Sequence, residues 1–122
     1  MYTSKFTDEA LQDVRQLPKH VRNSLRDEFK KKIHVDPFGC SEPLEGLLTE
    51  YRSFRFREYR VVYRIFKDIK AVAVVGIGKK DKAHRTEIYR QLESLAASGK
   101  LASTVLETYD SLTEEGPASK KA

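Results

Sequence analysis

A chain of 122 residues has the length of one domain. It is 39% hydrophobic and 34% charged, apolar enough for one core and too charged for a membrane protein. No apolar run approaches the roughly 20 residues of a spanning helix. Acids among the first twelve residues argue against an export signal. The single cysteine, Cys40, excludes an internal disulfide framework and a Cys-rich zinc site. These features predict a cytoplasmic protein in a reducing compartment. The net charge of +5 is uneven: residues 52–90 hold 12 Lys/Arg against 4 Asp/Glu, a local excess of +8. Such a field attracts phosphates, acidic proteins or anionic surfaces without choosing among them.

Tyr2 to Phe6 alternates as a short opening strand. Thr7 is placed to cap a helix, with Asp8 and Glu9 at its positive end. Leu11, Val14 and Leu17 recur at helical spacing. Pro18 disrupts that helix and suits the start of another. Val21, Leu25, Phe29 and Ile33 then recur every four residues, with Arg22, Arg26, Lys30 and Lys31 on the opposite side. The pair reads as a helical hairpin with one apolar face.

Asp36-Pro37-Phe38-Gly39 ends the hairpin, because a residue before proline is pushed out of helical space. Residues 36–47 form a connection. The period then changes to two. Phe54 and Phe56 alternate with Ser53, Arg55 and Arg57, and Val61, Tyr63 and Ile65 alternate with Arg60, Val62, Arg64 and Phe66. Arg57-Glu58 makes the turn between them without the usual Gly or Asn. Residues 71–77 are apolar on both faces and predict a central strand. A basic loop follows, Gly78-Lys79-Lys80-Asp81-Lys82, then an amphipathic helix over 83–97 marked by Ile88, Leu92 and Leu95.

The predicted class is α+β: a helical hairpin packed on a small antiparallel sheet, in the order β-α-α-β-β-β-α, over residues 1–97. Residues 98–122 form a C-terminal extension. Ser98-Gly99 reads as a helix stop. Leu101, Val105, Tyr109 and Leu112 mark one more short helix, and residues 114–122 a disordered tail. A helix this short needs a surface. Three are open: the outside of the core, a second copy of the chain, or the basic groove, with Glu107 and Asp110 facing Arg60 and Lys80 as an internal brake. The sheet face away from the hairpin is where Arg55, Arg60 and Arg64 are expected to converge.

Three segments carry a resemblance: FTDEALQDVRQLPKHVRNSL, DPFGCSEPLEGLLTEYRSFRFREYRVVYRI and AVAVVGIGKKDKAHRTEIYRQL. Their proline-leucine-x-glycine turn, basic strand and Tyr-Arg-Val-Val-Tyr strand resemble the RelE/ParE superfamily of type II toxin–antitoxin toxins over residues 2–95. The resemblance implies a cognate antitoxin and one of two activities, ribosome-dependent cleavage of mRNA in the A site or poisoning of DNA gyrase. The GxGKKDK…Y segment looks RelE-like. An inactive RNA-binding relative is a third reading.

Cleavage of RNA by internal attack needs a base for the 2′-OH, positive charge for the phosphate and an acid for the 5′ oxygen. RNA supplies the nucleophile, so neither metal nor cofactor is expected. Arg60 matches the family's transition-state-stabilising arginine, and a guanidinium fork fits phosphate oxygens. Tyr89 matches the tyrosine that stacks on a base; the alternative is a core aromatic beside Ile88 and Leu92. Lys80 falls where the family carries its leaving-group acid, with Arg85 and His84 as alternatives. The family's two basic-strand lysines are absent: Arg52, Ser53, Arg55 and Arg57 stand there. Arginine does not deprotonate, so the general base is unassigned. Arg55 remains a phosphate clamp, and Arg52, Arg57, Lys79, Lys82 and Arg85 are the remaining RNA-binding candidates. Cys40 lacks a basic neighbour and reads as an unreactive thiol.

Overall fold

The computed structural model describes residues 1–79 and 87–114. The chain runs β1 (Thr3–Phe6), α1 (Asp8–Arg15), α2 (Lys19–Glu28), β2 (Glu42–Pro43), β3 (Arg52–Phe56), β4 (Tyr59–Phe66), β5 (Ala71–Lys79), α3 (Glu87–Ala97) and α4 (Lys100–Glu114). The strands form one sheet in the order β1-β5-β4-β3-β2. The three-strand meander is antiparallel, as its short connections require. β1 adds to β5 in parallel, through the α1–α2 crossover, so the sheet is mixed at that edge. The two-residue β2 at the other edge lies inside what reads as a plain connection.

Thr7 caps α1, its hydroxyl accepting from the Ala10 amide at 3.2 Å. α2 continues into one wide π-helical turn, Phe29–Ile33. The four-residue spacing explains it. An α-helix overshoots by about 40° every four residues. The wide turn offsets that drift, so Phe29 and Ile33 stay buried below Val21 and Leu25. Lys30, Lys31 and Lys32 are all left exposed.

One sheet face carries Phe54, Phe56, Tyr59, Val61, Tyr63, Val72, Val74 and Ile77 and buries the stripe of the helical hairpin. The other face presents Val62 and Val75 to Ile88 and Leu92 of α3 and to Leu101 and Val105 of α4. Within β5 the pairing slips opposite Val62/Tyr63, and Val75 and Gly76 both turn toward α3. Glycine is needed beneath that helix. A Cβ on Gly78 would lie 2.9 Å from the Cβ of Ile88. Gly99, at φ +82°, ends α3 and starts the turn into α4.

α4 belongs to the core. Leu101 and Val105 are buried, the Tyr109 ring meets Phe66 edge-on at 4.8 Å, and the Tyr109 hydroxyl donates to Asp68 at 2.9 Å. Lys5 of β1 donates to Ser111. Asp68 lies in the β4–β5 turn, at the opposite end of β4 from Arg60. The Arg60 half of the brake is therefore not formed: Glu107 and Asp110 are exposed and neither pairs with Arg60, while Lys80 lies outside the described residues. Core packing is the helix's role because its apolar stripe fits the sheet face beside α3. Among the described residues no helix is long and apolar enough to cross a membrane.

Candidate functional site

At the β3–β4 hairpin end, a groove of about 380 Å³ opens between the β2 edge and the start of α3. Its walls include Cys40, Glu42, Ser53, Arg55, Arg60 and Tyr89. The register explains the gathering. Arg55 and Arg60 are direct cross-strand partners, as are Glu42 and Ser53, two residues further along β3 on the same face. Directly opposed residues share a face.

Two arginines directly opposite each other repel, a pairing that costs a sheet stability. No carboxylate among the described residues pairs with either. Arg60 is half-buried; its Nη1 donates to the Tyr59 carbonyl at 2.9 Å and the Arg57 carbonyl at 3.4 Å. Those bonds fix the guanidinium and leave other N–H donors for the groove. Arg55 is exposed. The pair concentrates positive charge at this end of the groove.

Tyr89 belongs to the core on one side and to the groove on the other. The ring packs half-buried against the α3-side core, and the hydroxyl meets the Ser53 hydroxyl at 2.8 Å on the groove wall. Glu42 is the one carboxylate lining the groove among the described residues. The sequence reading missed it. Its signal was the Glu-Pro pair: the residue before proline is extended, and proline is tolerated on an edge strand.

The other candidates divide. Arg52 is used by the 36–43 connection: Nε donates to the Ser41 hydroxyl at 2.7 Å, Nη2 donates to the carbonyls of Phe38 at 3.1 Å and Ser41 at 2.9 Å, and the guanidinium lies over the Phe38 ring. Arg57 turns to the hairpin side, donating to the Ser24 hydroxyl at 3.1 Å. Arg64 does not converge with Arg60. It pairs with Glu50 at 3.4 Å and lies over Phe66. Buried Val62 separates the two. Lys79 is exposed at the end of β5, level with Tyr59. Lys80, Lys82, His84 and Arg85 lie outside the described residues.

Burial pushes the Cys40 thiol up, with its Tyr63 hydrogen bond acting the other way. It rests as a protonated thiol beside the groove. Among the described residues no group of three His, Cys, Asp or Glu could hold a metal ion. A more apolar cleft, about 240 Å³, lies across the molecule between the hairpin and β1. It is lined by Phe6, Val14, Leu25 and Phe29 with Arg22, Arg26 and Lys30 at its rim. It lacks the opposed arginines.

A five-stranded sheet with a helical hairpin on one face and two helices on the other, and an arginine pair without a carboxylate partner at one end, defines a small α+β domain. Comparison with known proteins gives the family. The ParE toxin family of type II toxin–antitoxin systems (parDE) matches residues 5–84. The chain is 28% identical over 90 residues to "Toxin RelG" of Mycobacterium tuberculosis, covering 74% of this chain and 98% of that one. It resembles a chain of the RelBE2 toxin–antitoxin complex of M. tuberculosis with a TM-score of 0.61 and 26% identity, covering 64% and 96% of the two chains. It resembles a chain of the intact E. coli RelBE complex with a TM-score of 0.56 and 25% identity, covering 67% and 100%. This chain belongs to the ParE toxin family, within the RelE/ParE superfamily, and is a toxin of a type II toxin–antitoxin system.

Proposed function

We propose that this toxin cuts mRNA in the ribosomal A site, by attack of a 2′-OH on the adjacent phosphate. The observation that carries this reading is the opposed pair Arg55–Arg60 without a carboxylate partner. In the proposed step Glu42 accepts the 2′-OH proton and the 2′ oxygen bonds to phosphorus. The bond to the 5′ oxygen then breaks, and an acid from the basic loop after β5 returns a proton. Arg60 and Arg55 hold the phosphate as charge builds. Tyr89, fixed by Ser53, stacks on a base; such stacking is worth about 1–3 kcal/mol. Glu42 takes the role that the arginine-rich β3 could not, since a carboxylate can accept a proton and a guanidinium cannot.

The partner is a cognate antitoxin, as in the RelBE complexes whose toxin chains this fold resembles. An acidic amphipathic segment suits the apolar cleft with its basic rim. A second reading, inhibition of DNA gyrase, is favoured by the ParE family match. One experiment separates the two: brief controlled expression followed by mapping of mRNA 5′ ends. Cuts at a fixed position within codons support the nuclease. Intact mRNA with a DNA-damage response supports the gyrase inhibitor.

A further inference from the structure

The sequence places an arginine where a glycine or asparagine is expected, and the structure bears out the conflict. Arg57 is the first central residue of the β3–β4 turn and has φ 55°, a left-handed conformation unfavourable for a side chain of this size. Its side chain is ordered by two contacts. The guanidinium lies 5.0 Å over the Phe56 ring and donates to the Ser24 hydroxyl at 3.1 Å. It thereby forms one wall of a second cleft, of about 500 Å³, between the turn and the end of α2.

That cleft is polar and mostly basic. Lys31, Lys32, Arg55 and Arg57 line it against Asp27 and Glu28. Lys32 pairs with Glu28 at 3.0 Å, and Lys31, Arg55 and Arg57 pair with no carboxylate among the described residues. Lys31 is exposed on the wide π turn. Arg55 lines both this cleft and the groove that holds Arg60. The two clefts therefore meet at Arg55, beside the hairpin turn.

We infer that the clefts form a single track for single-stranded RNA: the strand engaged at Arg60 continues past Arg55 and sets a further phosphate between Arg57 and Lys31. The partner on the α2 side is the phosphodiester backbone itself, because that cleft offers cations and its one ring, Phe56, is buried. The inference rests on the RNA reading above. It adds a second phosphate site on the α2 side, which that reading does not require.

The test uses full-length protein and 2′-O-methyl oligoribonucleotides, which cannot be cleaved by 2′ attack. One is about three nucleotides long and the other about nine. Binding is followed by fluorescence anisotropy across roughly 50 to 200 mM salt. Each phosphate contact on a single strand contributes about 0.7 to the slope of log affinity against log salt. The wild type should show a steeper slope for the long strand. A Lys31→Gln, Arg57→Asn double variant should lose about 0.7 of that slope, one phosphate's worth, and leave the short strand unchanged. Arg57→Asn alone should lose about half as much while its Tm stays level or rises, because asparagine tolerates the left-handed turn. Equal slopes for both lengths in the wild type, or a double variant that keeps the long-strand slope, overturns the track. Absence of binding by the long strand overturns the track, while the A-site reading stands or falls on the mapped mRNA 5′ ends.

Discussion

Arg60 and Arg64 leave the same face of β4, one buried residue apart from being neighbours on it, yet their surroundings are opposite. At the far end Arg64 has Glu50 and the Phe66 ring, and α4 closes the sheet with Tyr109 reaching Asp68. At the hairpin end Arg60 has Arg55 directly across the ladder, with only main-chain carbonyls for partners. One end is satisfied and the other is left with excess positive charge. The satisfied end is packing; the unsatisfied end is where the proposed site lies. Repulsion between paired arginines persists where something other than stability depends on them.

The sharpest way to break this comparison is to truncate each arginine. Arg60→Ala should lower mRNA cleavage about 10²–10³-fold, the usual loss when one donor to a developing charge is removed. Arg64→Ala should leave cleavage within about threefold, because an exposed ion pair contributes at most about 1 kcal/mol to stability. Initial rates on programmed ribosomes check both, with circular dichroism confirming the folds. Equal losses would erase the distinction between the two ends.

A smaller effect sharpens it. Gly78→Ala places a methyl against Ile88 and forces α3 to move. Overpacking of this kind costs about 1–3 kcal/mol. Because α3 carries Tyr89, cleavage should fall as well as Tm. A variant with lowered Tm and unchanged cleavage would show that Tyr89 does not need its present position.

The smallest effect concerns neither end. Asp13 accepts from the Ile77 amide at 3.0 Å, pinning α1 to β5. Burial raises its pKa above 3.8, opposed by that amide bond and aided by Glu9. A carboxyl that binds its proton more tightly when folded contributes stability below its unfolded pKa, and loses it as pH rises through the folded value. At neutral pH the buried charge is a cost. Asp13→Asn keeps an acceptor and removes the charge. Its Tm should equal or exceed the wild type's at pH 7, and that advantage should shrink toward about pH 4. An advantage that grows with acid would reverse the sign.

The layered α+β architecture was legible because its signals are periodic. Residues 71–77 are apolar on both faces and form a strand covered on both sides. The four-residue repeat from Val21 to Ile33 gave the buried stripe, though not the π turn that keeps it aligned. The site was legible only in part. Arg55, Arg60 and Tyr89 follow from strand parity and the family motif, and the structure brings them to one groove. Glu42 did not, because its place depends on which edge residue sits opposite Ser53, a register that one strand's pattern does not encode. Parity likewise put Arg64 beside Arg60 and could not foresee Glu50, which reaches it from the residues just before β3. Arg52 was misplaced for the same reason: its partners come from a loop, and loops carry no period.

The central claim is that the unsatisfied end of β4 holds RNA for attack by its own 2′-OH. Purified toxin, ribosomes and an mRNA carrying 2′-deoxy nucleotides through the A-site codon test it most directly, read by primer extension beside the all-ribose message. The account predicts cleavage of the all-ribose codon and background cleavage of the deoxy codon. Equal cleavage of the two, or of neither, would contradict it.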